Sequence, residues 1–176
     1  NNPNNKNSLS SNVVQHMIVD NDGIIWIATR EGGLNRFDPK TEIFTHYKNN
    51  PNDNTTISDN KVEYLFKDSY GQLWIGTYEG GLNKFDTKTG KFIQYKHNIN
   101  KKESISSNRI EYIFEDKSRV LWIATRGGGI NKIDLKPPKF KNLINQPNNS
   151  NSLPPYSIMA VTSDNNGNLW IGTDGG

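Results

Sequence analysis

The chain has 176 residues, enough for one domain with a real core, and 21 basic against 18 acidic residues give it a formal charge of +3. No run of four or more Lys or Arg occurs, which excludes a dedicated nucleic-acid or anionic-membrane patch, and the lack of cysteine excludes a disulfide scaffold, a thiolate zinc site and a Cys nucleophile. No 18-residue apolar stretch or signal-peptide core is visible, so any targeting segment is expected outside these residues.

Only 32% of residues are apolar, yet they are gathered into short regular runs separated by polar connections, the pattern of a folded chain of short strands. After an asparagine-rich start, NNPNNKN, a first unit covers approximately 9–48, with Val14, Asp20, Trp26 and Gly32-Gly33 as landmarks. The second unit, 57–96, shows its strands most clearly. A strand is predicted at 61–67, with Val62, Tyr64 and Phe66 on one face and Leu65 on the other. Asp68-Ser69-Tyr70-Gly71 reads as a tight hairpin turn. The Leu-Trp-Ile run of 72–77 suits a strand covered on both sides, and strands at 81–86 and 91–96 complete a four-stranded antiparallel meander. The third unit covers 105–144, and a fourth, 153–176, stops before its third strand.

The units keep an equal length. Trp26, Trp74, Trp122 and Trp170 are spaced by 48 residues; Asp20, Asp68, Asp116 and Asp164 each precede them by six, and Val14, Val62, Ile110 and Ile158 by twelve. A lone meander cannot bury both its faces, and repeated meanders solve this by stacking face to face around a channel. The predicted fold is therefore all-β: β-propeller blades with a 48-residue period, about three and a half of them, in a single segment over 1–176.

The run Leu-Trp-Ile-[Ala/Gly]-Thr followed by Gly-Gly-[Leu/Ile]-Asn-x-[Phe/Ile]-Asp resembles the two-component regulator propeller repeats, as do Asp-x-x-Gly before the Trp strand and Ser-[Leu/Ile]-Ser-x-Asn at 8–12 and 104–108. The resemblance covers essentially the whole chain. Three departures stand out: Arg119 where other units have glycine, Pro137-Pro138 in place of the Thr-Gly at 89–90, and Leu153-Pro154-Pro155-Tyr156 before the last unit's first strand. The resemblance implies a sensor portion of a hybrid two-component system or sensor kinase, on the extracytoplasmic side of a membrane. It also implies carbohydrate fragments as ligands, and a kinase for which these residues hold no H-box-like helix or nucleotide loop.

The glycine pairs join two strands rather than opening a helix, so they read as tight turns requiring positive φ and not as phosphate loops. DNDG (20–23) and DNNGN (164–168) lack the flanking helices and the twelfth-position Glu of a calcium loop. His16, His46 and His97 fall at three different repeat positions, without metal-ligand spacing. His16, Tyr64 and Tyr112 share one register, which reads as packing. No catalytic set, metal site or cofactor is expected.

Directly before the glycine pairs the units differ: Arg30-Glu31, Tyr78-Glu79, Arg126-Gly127 and Asp174. These positions would ring one end of a propeller, near Asn12, Asn60 and Asn108. Aromatic faces against sugar rings and charged groups on hydroxyls or uronates suit a carbohydrate ligand. The expectation is a ligand-sensing module acting by binding. The alternative is an interaction propeller that mediates oligomerisation without a small ligand. A chain that stops inside its fourth unit is expected to be an excerpt of a longer array, with its bare end faces associating with a second copy or with further blades.

Overall fold

A computed structural model describes residues 1–2, 4–136 and 143–175. It contains two compact units, 1–136 and 137–176. The first holds two four-stranded antiparallel meanders and one three-stranded sheet. Their strands are β1 (Val14–Val19), β2 (Ile25–Thr29), β3 (Gly33–Asp38) and β4 (Ile43–Tyr47), then β5 (Val62–Lys67), β6 (Leu73–Thr77), β7 (Leu82–Asp86) and β8 (Lys91–Tyr95), then β9 (Ile110–Glu115), β10 (Val120–Thr125) and β11 (Gly129–Asp134). The second unit holds one hairpin, β12 (Ile158–Ser163) with β13 (Leu169–Thr173). The fold is all-β and built of propeller blades. Pro137-Pro138, most of the stretch where a fourth strand of the third sheet is expected, and Gly176 lie outside the described residues.

The first strand of every sheet carries a bulge. Val62 pairs with Thr77 and Tyr64 with Gly76, so Glu63 is the extra residue, and the same shift occurs in β1, β9 and β12. A bulge reverses the alternation of side chains. The expected grouping of Val62 with Tyr64 and Phe66 is therefore corrected: Val62 shares a face with Leu65, both buried against the first sheet, while Tyr64 and Phe66 turn toward the third.

Two apolar layers result. Trp26, Ala28 and Leu34 of the first sheet meet Val62, Leu65, Leu73 and Ile75 of the second. Trp74 and Leu82 of the second meet Ile110, Ile113, Leu121 and Ile123 of the third, each residue 48 positions after its counterpart in the first layer. The central strand β6 thus covers both neighbouring sheets, with Leu73 and Ile75 toward the first and Trp74 toward the third. Ala28 is replaced by Gly76, where an added Cβ would lie 2.6 Å from Ile110 Cγ2, because the larger Ile110 stands where the first layer has Val62.

The turn between the first two strands is held by one carboxylate. Asp68 Oδ1 accepts the N–H groups of Tyr70 (3.0 Å) and Gln72 (2.9 Å), and its Oδ2 accepts the indole N–H of Trp74 at 2.8 Å. Asp20, Asp116 and Asp164 do the same for Trp26 (3.1 Å), Trp122 (2.8 Å) and Trp170 (3.1 Å). One side chain therefore closes the hairpin and orients the tryptophan, which in the first two sheets packs on the next sheet. Arg119, in the glycine position of this turn, has φ 65°, a left-handed conformation that costs a non-glycine residue about 1 kcal/mol. Its guanidinium lies 5.3 Å from the Tyr70 ring on the neighbouring sheet.

Candidate functional site

The opposite ends of the strands form the rim where the varying residues sit. Thr29, Thr77 and Thr125 each donate a hydroxyl to the carbonyl of the second glycine (Gly33, Gly81 and Gly129) at 2.7–2.9 Å, closing the turn. These second glycines have φ between 77° and 87°. The first of each pair, Gly80 for example, is required for a different reason: its Cβ would collide with the backbone and hydroxyl of Ser58. Next, Gly33 N–H donates to the Asn60 carbonyl (2.9 Å) and Gly81 N–H to that of Asn108 (2.8 Å), so each turn is tied to the following sheet.

This frame determines where the candidate residues go. Asn60 Oδ1 accepts the N–H of Asn49 (2.8 Å), Asn108 Oδ1 that of His97 (2.7 Å), and Asn12 Oδ1 the terminal amine of Asn1 (2.8 Å). Asn60 and Asn108 thus brace the connections between blades, while Asn12 bonds within the segment before the first strand. Buried Asn83 and half-buried Asn131 complete the brace, each accepting from a serine N–H (Ser58 or Ser106) and donating to the same serine's hydroxyl.

Tyr78 and Arg126 stand at equivalent places, their N–H groups bonded to the carbonyls of Lys61 and Arg109 (2.9 Å each). Around the Tyr78 ring gather the Arg109 guanidinium, 3.9 Å from the centroid, and the Lys61 ammonium, 5.2 Å away. Glu111 Oε1 lies 3.2 Å from Arg109 Nε and 3.8 Å from Arg126 Nη1. Arg30 forms a backbone bridge with Lys61. Glu31 and Glu79 are exposed on their turns, the Glu79 N–H held by Asp59 Oδ2 at 3.0 Å. Asp174 belongs to the second unit, where its Oδ1 accepts the Ser157 N–H at 3.0 Å.

The structure thus brings Tyr78 and Arg126 into one constellation through three residues that sequence reasoning missed: Lys61, Arg109 and Glu111. A signal was present. Positions 13, 61, 109 and 157 carry Val, Lys, Arg and Ser between well-matched letters, the same irregularity that marks positions 30, 78 and 126.

Along the first strands runs a column of rings. His16 stacks on Tyr64 at 4.3 Å, and Tyr64 meets Tyr112 at 4.7 Å. Burial and the hydrogen bond with Tyr112 push the Tyr64 hydroxyl up to about 12. Burial pushes His16 below its ordinary value, in keeping with a neutral ring whose Nδ1 accepts the Leu65 N–H at 3.3 Å. His46 and His97 are spent on the carbonyls of Ser8 and Ile105, 2.8 Å each. In the second unit the Asn168 side chain, its N–H and the Trp170 indole hold Asp164 down at about 2.

A family model described as Two component regulator propeller matches residues 8–31, 56–79 and 152–175. Among solved structures, the extracellular domain of BT3049, ascribed to a hybrid two-component system of B. thetaiotaomicron, is 30% identical with a TM-score of 0.60 over 96% of this chain and 21% of that one. The extracellular domain of BT4673 from the same organism is 25% identical, with a TM-score of 0.54 over 94% of this chain and 22% of that one. PorZ, a surface component of the type-IX secretion system of Porphyromonas gingivalis, shares the fold at 17% identity, with a TM-score of 0.54 over 69% of this chain and 17% of that one. This chain spans about a fifth of the length of the first two structures. A search of curated proteins finds no match. Among the described residues no helix is long and apolar enough to cross a membrane.

Proposed function

The chain carries two-component regulator propeller repeats, and from that premise we propose that it is a ligand-sensing module of an extracytoplasmic bacterial sensor, recognising carbohydrate fragments by binding rather than catalysis. The observation that carries this reading is the 30% identity, over 96% of this chain, with the extracellular domain of a hybrid two-component system. The rim supports the ligand class. Its frame is repeated from sheet to sheet, while Arg30, Glu31, Tyr78, Glu79 and Arg126 vary on top of it, as a scaffold with exchangeable contact residues requires. Asn60 and Asn108 tie that frame to the connections between blades, and Asn12 stands at the same repeat position of the first unit.

In such a module, ligand bound across two blades favours one relative blade orientation and passes the difference in affinity to whatever follows in the chain. Calorimetric titration of the 176-residue chain with a panel of oligosaccharides tests this reading. Saturable heat with one glycan class is expected; no heat across the panel would overturn it.

A further inference from the structure

We propose that the rim between the second and third sheets is an oxyanion subsite, in which Arg109 and Arg126 take the carboxylate or sulfate ester of an acidic sugar. The proposal deepens the carbohydrate reading above and rests on it. Its basis is the way Arg109 is held. The guanidinium carbon sits 3.9 Å from the Tyr78 ring centroid, and its Nε is engaged by Glu111 at 3.2 Å. Those two contacts occupy one face of the group and its Nε, and among the described residues no hydrogen bond or ion pair takes its two terminal nitrogens, which are the pair that a planar or tetrahedral oxyanion uses.

Arg126, on the adjoining strand end, shares Glu111 at the looser distance of 3.8 Å, and Lys61 adds a third positive charge over the same ring. Glu111 neutralises one of the three. The other carboxylates close by are Glu79, exposed on its turn, and Asp59, whose oxygens already accept the N–H groups of Lys61 and Glu79 at 3.0 Å each. As a stabilising ion pair this arrangement would be worth little, since the Arg109, Glu111 and Arg126 side chains are 31%, 49% and 64% exposed. The fold does not require it either. The same strand-end hydrogen bond forms with Arg30 on Val13 (3.0 Å) and Asp174 on Ser157 (3.2 Å), and neither pair brings two arginines together. A stacked arginine with a second arginine sharing its carboxylate, found at one junction among the described residues and dispensable to the scaffold, is what an anion-binding subsite requires.

The test uses the 176-residue chain and three probes of equal length: trigalacturonate, a monosulfated galactotriose and neutral galactotriose. Calorimetry is expected to show at least one acidic probe binding about tenfold or more tightly than the neutral one. Arg109→Gln or Arg126→Gln should abolish that preference, while Lys88→Gln, a charge-matched change on a distant turn, should leave it. Which acidic probe wins separates carboxylate from sulfate. Equal binding of all three probes, or an acidic preference that survives both arginine changes, would overturn the subsite and leave the carbohydrate reading standing. No heat with any of the three probes would also overturn the subsite, while the carbohydrate reading would fall only with silence across the whole oligosaccharide panel. Arg126→Gln carries the test if Arg109→Gln lowers the melting temperature.

Discussion

Asp68 shows how much of the blade depends on a single side chain. It is 6% exposed and accepts two backbone N–H groups and an indole N–H, all within 3.0 Å. In Asp68→Ala those donors lose a charged acceptor in a dry place, at a cost of about 3 kcal/mol. Urea unfolding should show the loss as a lower midpoint, and a change below about 1 kcal/mol would contradict the role given to this turn. His16 offers a residue-scale test by pH. Its value in the folded chain lies below the ordinary 6.5, so the unfolded chain binds the proton more readily. The stability contributed by the neutral ring is complete above pH 6.5 and is lost as the pH falls from there. The carboxylates held below their usual range, Asp116 and Asp164 among them, start from 3.8 and act only in stronger acid. His16→Gln keeps an acceptor for Leu65 N–H but cannot titrate in this range. Its melting temperature should therefore fall less than that of the parent between pH 8 and pH 5, and parallel curves would refute the assignment.

At the scale of elements, the first strand of each sheet behaves as two half-strands of opposite phase joined at the bulge. The bulge lets Val62 and Leu65 cover the sheet before while Tyr64 and Phe66 reach the sheet after, which strict alternation would not allow from this sequence. The central strands need no such device. Trp74 is 3% exposed between the second and third sheets. Trp74→Ala is expected to cost about 4 kcal/mol, because its ring is buried between two sheets. A denaturant curve of the variant decides this, and a loss below about 1 kcal/mol would contradict that packing.

At the scale of the whole molecule, we propose that the end faces of the array associate with a second copy of the chain or with further blades, because a lone meander cannot bury both its faces. Sedimentation of the 176-residue chain should give a mass that rises with concentration. A monomer mass independent of concentration would refute self-association.

Much of this architecture can be read from the residues in order. The 48-residue register of tryptophans and aspartates, the hairpin turns at Asp68 and its counterparts and the strand limits of the second unit to within about a residue are all local properties, set by residues a few positions apart. Such properties leave a periodic trace because every unit solves the same backbone problem. The phase change at Glu63 left none, since a bulge depends on which register two strands share and not on the letters of one strand. The stacking of Arg109 on Tyr78 was equally hidden: it joins residues of different sheets, and only the packing of blade against blade decides which side chains meet across their rim.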